Sequence, residues 1–170
     1  LTSQERPVAA GDILNRPGTA LLLRHALAPG TGDPPGLRLG DCATLRYLSE
    51  EGRRQARELG RRLRAEGVTG ARFYSSRWCR SLETAELLGL GPVVPLPALD
   101  SFFSLAQSGP KQTDDLREFL RSLPPGPPVI LVTHQVNITS LTGIVPPSGG
   151  GVLVRIGASP EGGEILGVWP

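Results

Sequence analysis

TALLLRHA (residues 19–26) and PPVILVTH (residues 127–134) decide how this chain folds. Each holds a short apolar run, residues 20–23 and 129–132, that gives way to a histidine, His25 in the first and His134 in the second. Four apolar residues without polar alternation are the pattern of a strand buried on both faces. Such strands belong to sheets covered by helices, and helical patterns lie between these two. Ser49 is placed as an N-cap, with Glu50 and Glu51 in the first turn where the helix dipole favours them. Gly52, Ala56, Leu59 and Leu63 then recur at helical steps, and Gly67 supplies a stop.

ARFYSS (71–76) reads as another strand. Ser75 or Ser76 is expected to cap the helix RWCRSLETAELLG (77–89), with Trp78, Leu82, Ala85 and Leu88 facing the core. The prolines of PVVPLPAL (92–99) suit a strand at a sheet edge. TDDLREFLRSL (113–123) reads as a helix begun by Thr113, and HQVNITSLTG (134–143) as a short one. GGVLVRIG (150–157) and GEILGVW (163–169) read as closing strands joined by a turn at 159–163. The alternation predicts an α/β fold with a mostly parallel sheet and an antiparallel strand at its edge. Residues 1–18 lack sustained periodicity and are expected to form an N-terminal arm, leaving 19–170 as one domain.

With 170 residues the chain can bury a core without staples. No apolar run approaches the ~20 residues of a membrane-spanning helix. Net charge is only +2, and Glu interleaves with Arg along the main basic stretch, a poor footprint for nucleic acid. Met is absent, so a processed start is expected, with a tag or a signal peptide removed.

The chemistry gathers on few residues. The chain has two His, and both follow buried-type strands, so they can meet in the crevice beyond the strand ends where α/β sheets bind ligands. Arg24 stands at the same place and needs an anionic partner, from the protein or from a ligand. Two Cys and two His could ligate zinc, but positions 25, 42, 79 and 134 contain no close-spaced pair. Cys42, in the long loop after His25, and Cys79, beside Arg80, could instead form a disulfide in an oxidising compartment; two unpaired thiols are the alternative.

LLLRHA (21–26), SSRWCRSLETA (75–85) and VILVTHQ (129–135) resemble, in order, the three elements of the histidine phosphatase superfamily, or phosphoglycerate mutase-like proteins, branch 1. These are an Arg-His pair after the first strand, an Arg-x-x-x-Thr-Ala element on a helix, and a second His after a late strand. APGTGDP (28–34), GDCATLRYLSEEGR (40–53), SSRWCR (75–80) and THQVNIT (133–139) further resemble bacterial envelope members that include lipopolysaccharide core heptose phosphate phosphatases. The chain departs from the family's common Arg-His-Gly-Glu with Arg-His-Ala-Leu, and from His-Gly with His-Gln, which argues against a mutase.

The resemblance implies a three-layer sandwich with helices on both faces of the sheet. It also implies a phosphomonoesterase that needs no metal or cofactor and acts on a small-molecule phosphate ester, a sugar phosphate among the options. His25 would be the nucleophile, its tautomer held by a backbone carbonyl. Arg24, Arg80 and His134 would surround the phosphoryl oxygens, and Asp100 would be the general acid, although it also fits a turn. Thr31 and Gly32 fall where relatives contact phosphate; a plain turn is the alternative for Thr31. Arg77 reads as a surface residue and Glu83 as structural. A silent anion-binding module is the rival function. A periplasmic or secreted location is expected, with the cytoplasm as the alternative.

Overall fold

A computed structural model describes residues 5–157 and 164–170; the turn expected at 159–163 lies outside the described residues. Six strands form one sheet: β1 (Thr19–Arg24), β2 (Arg72–Ser75), β3 (Val93–Pro95), β4 (Val129–Thr133), β5 (Gly151–Arg155) and β6 (Glu164–Trp169), in the order β3-β2-β4-β1-β5-β6. β1 to β4 run parallel, β5 pairs antiparallel with β1, and the edge strand β6 pairs antiparallel with β5, so β5 alone runs against the rest. The proline-containing β3 takes the edge, where a missing N–H costs no ladder bond.

Five helices flank the sheet: α1 (Ala10–Leu14), α2 (Glu50–Ala65), α3 (Cys79–Leu88), α4 (Gly109–Ser122) and α5 (Gln135–Thr142). The buried strands divide their side chains between two cores. Leu21 and Leu23 pack with Leu59, Leu63 and Leu88 on one face, and Ala20 and Leu22 with Leu116, Leu120 and Ile138 on the other. Three layers result, with β1 and β4 in the middle.

Register positions the site. β1 and β4 pair Leu21 with Ile130 and Arg24 with Thr133, so His25 and His134, each one residue further on, emerge side by side. The His25 backbone is clamped on both sides, its N–H donating to Thr133 O (3.1 Å) and its carbonyl accepting from Gly149 N (3.0 Å).

Three local expectations are corrected. Within the expected arm, the described residues from 5 on do more than trail: α1 buries Ala10, Ile13 and Leu14, and the Ala10 N–H and the Trp169 indole both donate to the Glu66 carboxylate. Helix α4 begins four residues before Thr113, with Pro110 in its first turn, and the Thr113 hydroxyl bonds back to Gly109 O. Helix α3 begins at Cys79 with Trp78 as its N-cap residue; Ser76 accepts the Trp78 N–H just upstream. Leu82 is only half-buried, whereas Arg80, Ser81 and Thr84 point inward, because this end of α3 faces the site. Ser49 caps α2 as expected, accepting from Gly52 N at 3.0 Å.

Cys42 and Cys79 form a disulfide with Cα atoms 5.7 Å apart, which settles the alternatives left open by the sequence. The bond joins residues 37 apart and fastens the loop after β1 to the first residue of α3. Loop closure of that length removes roughly 4 kcal/mol of unfolded-state entropy. Thiol titration of denatured, unreduced protein should find no free cysteine, and reduction should lower unfolding stability by about 3–4 kcal/mol. Two free thiols, or no change on reduction, would contradict the bond.

Candidate active site

The ends of β1 and β4, the start of α3 and the loop after β1 enclose a cavity of about 130 Å³. Arg24, His25, Arg46, Arg80 and His134 line it, together with Thr31, Gly32, Ser101, Phe103 and Gln135 among others. The imidazole centroids of His25 and His134 are 5.4 Å apart. His25 is 4% exposed, and its Nδ1 lies 2.8 Å from Ala26 O. A carbonyl can only accept, so the proton of the neutral ring sits on Nδ1 and Nε2 carries a lone pair. Arg80 Nε donates to that Nε2 at 3.2 Å.

Burial depresses the His25 pKa to about 3, helped by the neighbouring Arg80, Arg24 and Arg46 cations and opposed by the Ala26 hydrogen bond. His134 is driven well below the ordinary histidine range, first by burial and then by Arg80. Both rings are therefore neutral at mild pH. Positive charge resides in the guanidiniums, which burial also shifts downward but which stay charged.

Arg80 is the deepest of these cations, its side chain 3% exposed. Its Nη2 donates to Asp33 Oδ1 at 3.1 Å, and the Trp78 indole donates to the same oxygen at 3.0 Å. Arg46 binds four carbonyls of the loop after β1, those of Ala28, Pro29, Gly30 and Gly32, and so shapes it around the cavity. Gly32 has φ +67, and a Cβ there would meet the Phe103 ring at 2.8 Å, so glycine is required where the loop tucks beneath Phe103. Arg24 Nη1 donates to Pro146 O at 2.9 Å. Three buried nitrogens on residues that line the cavity, Arg24 Nε, Arg80 Nη1 and His134 Nδ1, have no hydrogen-bond partner among the described residues.

Of the residues expected from the sequence, His25, Arg24, Arg80, His134, Thr31 and Gly32 all meet at this cavity. Asp100 does not. Its carboxylate accepts the Arg77 backbone N–H at 2.8 Å and the Arg77 guanidinium at 2.8 and 2.5 Å, and it lines a separate surface cleft. Asp100, expected as the general acid, is placed here as a joint between the β2–α3 connection and the turn at Pro97–Leu99. Arg77 is the other half of that joint rather than a plain surface residue. Glu83 is structural, paired with Arg53 at 2.7 Å. Sequence reasoning missed Asp33, Arg46 and Ser76. For Asp33 a signal existed, a carboxylate in a Gly-rich loop that already held the expected phosphate contacts. For Arg46, one arginine among many, there was none.

A crevice at the carboxyl ends of parallel strands, with a neutral imidazole among fixed guanidiniums, defines a site for an oxyanion next to a nucleophile. Residues 21–104 match the profile of the histidine phosphatase superfamily (branch 1). No curated protein sequence matches it. Among solved structures, it is similar to the protein histidine phosphatase SixA complexed with tungstate, at 18% identity, TM-score 0.55, covering 86% of this chain and 93% of that one. A phosphoserine phosphatase mutant from Entamoeba histolytica aligns at 15% identity and TM-score 0.61, covering 88% and 95%. A mycobacterial glucosyl-3-phosphoglycerate phosphatase complexed with VO3 aligns at 18% and 0.60, covering 81% and 92%. At such identities these likenesses establish the phosphoglycerate mutase-like fold.

The geometry ranks the side chains. Arg24→Ala and Arg80→Ala should each lower kcat/KM for an aryl phosphate about 10²-fold or more, as removal of other charge-stabilising groups does. Asp100→Asn should change it by less than about threefold, because this carboxylate faces Arg77; a loss for Asp100→Asn as large as for Arg80→Ala would restore it as the acid.

Proposed function

We propose that the protein is a metal-independent phosphomonoesterase of the acid phosphatase type that works through a phosphohistidine on His25. The observation that carries this reading is that the His25 Nε2 lone pair shares one cavity with Arg24, Arg46, Arg80 and His134. Arg24 Nε and Arg80 Nη1 are buried donors without a partner among the described residues, costly unless a ligand takes their bonds, and such guanidiniums suit the oxygens of a phosphoryl group. The phosphatases among the fold neighbours, two captured with tungstate or VO3, support the same reading.

In the proposed cycle His25 Nε2 attacks phosphorus, the N–P bond forms, and the ester P–O bond breaks toward the leaving oxygen. Arg80 Nε–H, long against Nε2 at 3.2 Å, passes to a phosphoryl oxygen as the lone pair is used. No carboxylate lines the cavity among the described residues, so the leaving oxygen takes its proton from the phosphate monoanion itself. Water then attacks the phosphohistidine, releasing phosphate and restoring the lone pair.

The leaving group fits a small sugar. The cavity has room for little beyond the phosphate, and its lining offers Thr31, Ser101 and Gln135 for hydroxyls and the half-exposed Phe103 ring for an apolar sugar face. Among the described residues, the cations that line it are three arginines, Arg24, Arg46 and Arg80. The resemblance to heptose phosphate phosphatases supports this substrate class, and together with the disulfide it supports a periplasmic or secreted location.

Wild-type protein should release phosphate from p-nitrophenyl phosphate in EDTA and, on acid-free quenching, retain acid-labile phosphate, whereas His25→Ala should do neither. Normal turnover by His25→Ala sinks the mechanism, and binding of phosphate without turnover by the wild type would indicate an anion-binding module. The pH profile has a definite sign. A histidine pKa lowered to about 3 leaves the nucleophile free above that value and loses it as pH falls through it. The acid limb of kcat/KM should therefore lie near pH 3; a limb near 6.5 would show that His25 is not held neutral.

A further inference from the structure

His134 contributes a donor to the site only if its single proton sits on the right nitrogen, and the neutral ring can place it on either. His134 lines the cavity, and its Nδ1 is buried without a partner among the described residues. Its Nε2 lies 2.8 Å from Ser76 Oγ, with Ser81 Oγ at 3.5 Å from the same atom. Ser76 is fully buried, and its oxygen already accepts the Trp78 N–H at 3.1 Å.

Two arrangements compete. If His134 Nε2–H donated to Ser76, the Ser76 hydroxyl proton would have no acceptor in a fully buried setting, and Nδ1 would present a lone pair to the phosphoryl oxygens. If the Ser76 hydroxyl donates to Nε2, its proton is used, its oxygen still accepts from Trp78, and the ring proton moves to Nδ1, the nitrogen left without a protein partner among the described residues. The second leaves one unmet donor where the first leaves an unmet hydroxyl and a misdirected lone pair.

We infer that Ser76 is a positioning residue that fixes His134 as the Nδ1–H tautomer, so that this histidine donates to the transferred phosphoryl group. The inference rests on the phosphatase reading for its functional meaning but not for its geometry. Ser76 is well placed for the task. Its N–H bonds to Val132 O at 2.9 Å, two residues before His134, and the Ser75 hydroxyl bonds to the Ser76 carbonyl at 2.9 Å. The hydroxyl therefore holds its place relative to the ring. Ser76 also lies four residues before Arg80, so one connection supplies both the cation and the group that orients the second histidine.

Nitrogen-15 NMR of histidine-labelled protein near pH 7 reads the tautomer directly, through coupling of each ring nitrogen to the ring carbon-bound protons. His134 in the wild type should be neutral and protonated at Nδ1, with and without inorganic phosphate. Ser76→Ala should lose that single tautomer, weaken inorganic phosphate binding and lower kcat for p-nitrophenyl phosphate about tenfold, and Ser76→Thr should recover both. A wild-type proton on Nε2, or an unchanged Nδ1–H signal in Ser76→Ala, overturns the inference. The wild-type spectrum decides it even where the variant fails to fold. Absence of turnover in the wild type would instead overturn the phosphatase reading, since the tautomer is read without catalysis.

Discussion

Arg80 sets the terms for everything around it, because a guanidinium with 3% of its side chain exposed must be matched by charge and hydrogen bonds. Asp33 supplies the charge, its own side chain 1% exposed, and it can do so only if the loop after β1 folds back over α3. The Trp78 indole holds the same carboxylate oxygen, Arg46 gathers four carbonyls of that loop, and the disulfide fastens its far end to Cys79, the residue before Arg80. Breaking a buried pair of this kind by removing one partner costs about 3–5 kcal/mol. The loop is long and rich in glycine and proline, so its own propensities would leave it loose. Its order comes from the charge it has to cover.

The same pairing orients chemistry. With Nη2 on Asp33 and Nε on His25, the Arg80 guanidinium has one orientation, and Nη1 is left for an incoming oxygen. Thr84, one turn further along α3, accepts the Ala26 N–H at 3.0 Å and donates to Arg80 O at 2.8 Å, so the segment that carries His25 and the helix that carries Arg80 move together. Polar residues on the inward side of an otherwise amphipathic helix are a local departure from pattern, and such departures concentrate where function resides.

What the sequence made legible follows interaction range. β1 and β4 were readable from runs of four apolar residues, and their parallel pairing puts both histidines at one end whatever the details of the loops. Ser49 and its acidic first turn were readable because capping is local. Contacts across many residues were not: Asp33 to Arg80 spans 47, and Ser76 to His134 spans 58. The placement of Asp100 was not legible because a carboxylate after a proline-rich turn has the same composition whether it faces a substrate or an arginine. The backbone N–H and guanidinium of Arg77 choose between those, and neither is visible in a string of letters. Thr113 was misread for a related reason: a helix already begun at Gly109, with Pro110 in its first turn, leaves no orphan N–H for a threonine to cap.

The distribution of protons in the cavity has a consequence for how the site responds to its surroundings. Both imidazoles are held neutral by burial and by the cations beside them, and the positive charge belongs to Arg24, Arg46 and Arg80. Guanidiniums do not titrate in any biological range, so the cavity keeps its charge as acidity changes, offset only by the Asp33 carboxylate behind Arg80. The group that changes charge at mild acidity is then the substrate, whose phosphate has its second ionisation near pH 6. A fixed cationic cradle binds the dianion more strongly, while the monoanion brings the proton that the leaving oxygen needs and that no carboxylate in the cavity supplies. Affinity and leaving-group departure therefore pull in opposite directions across that ionisation. If His25 is the nucleophile as proposed, an imidazole that stays unprotonated down to about pH 3 lets the site work on the acidic side of the balance.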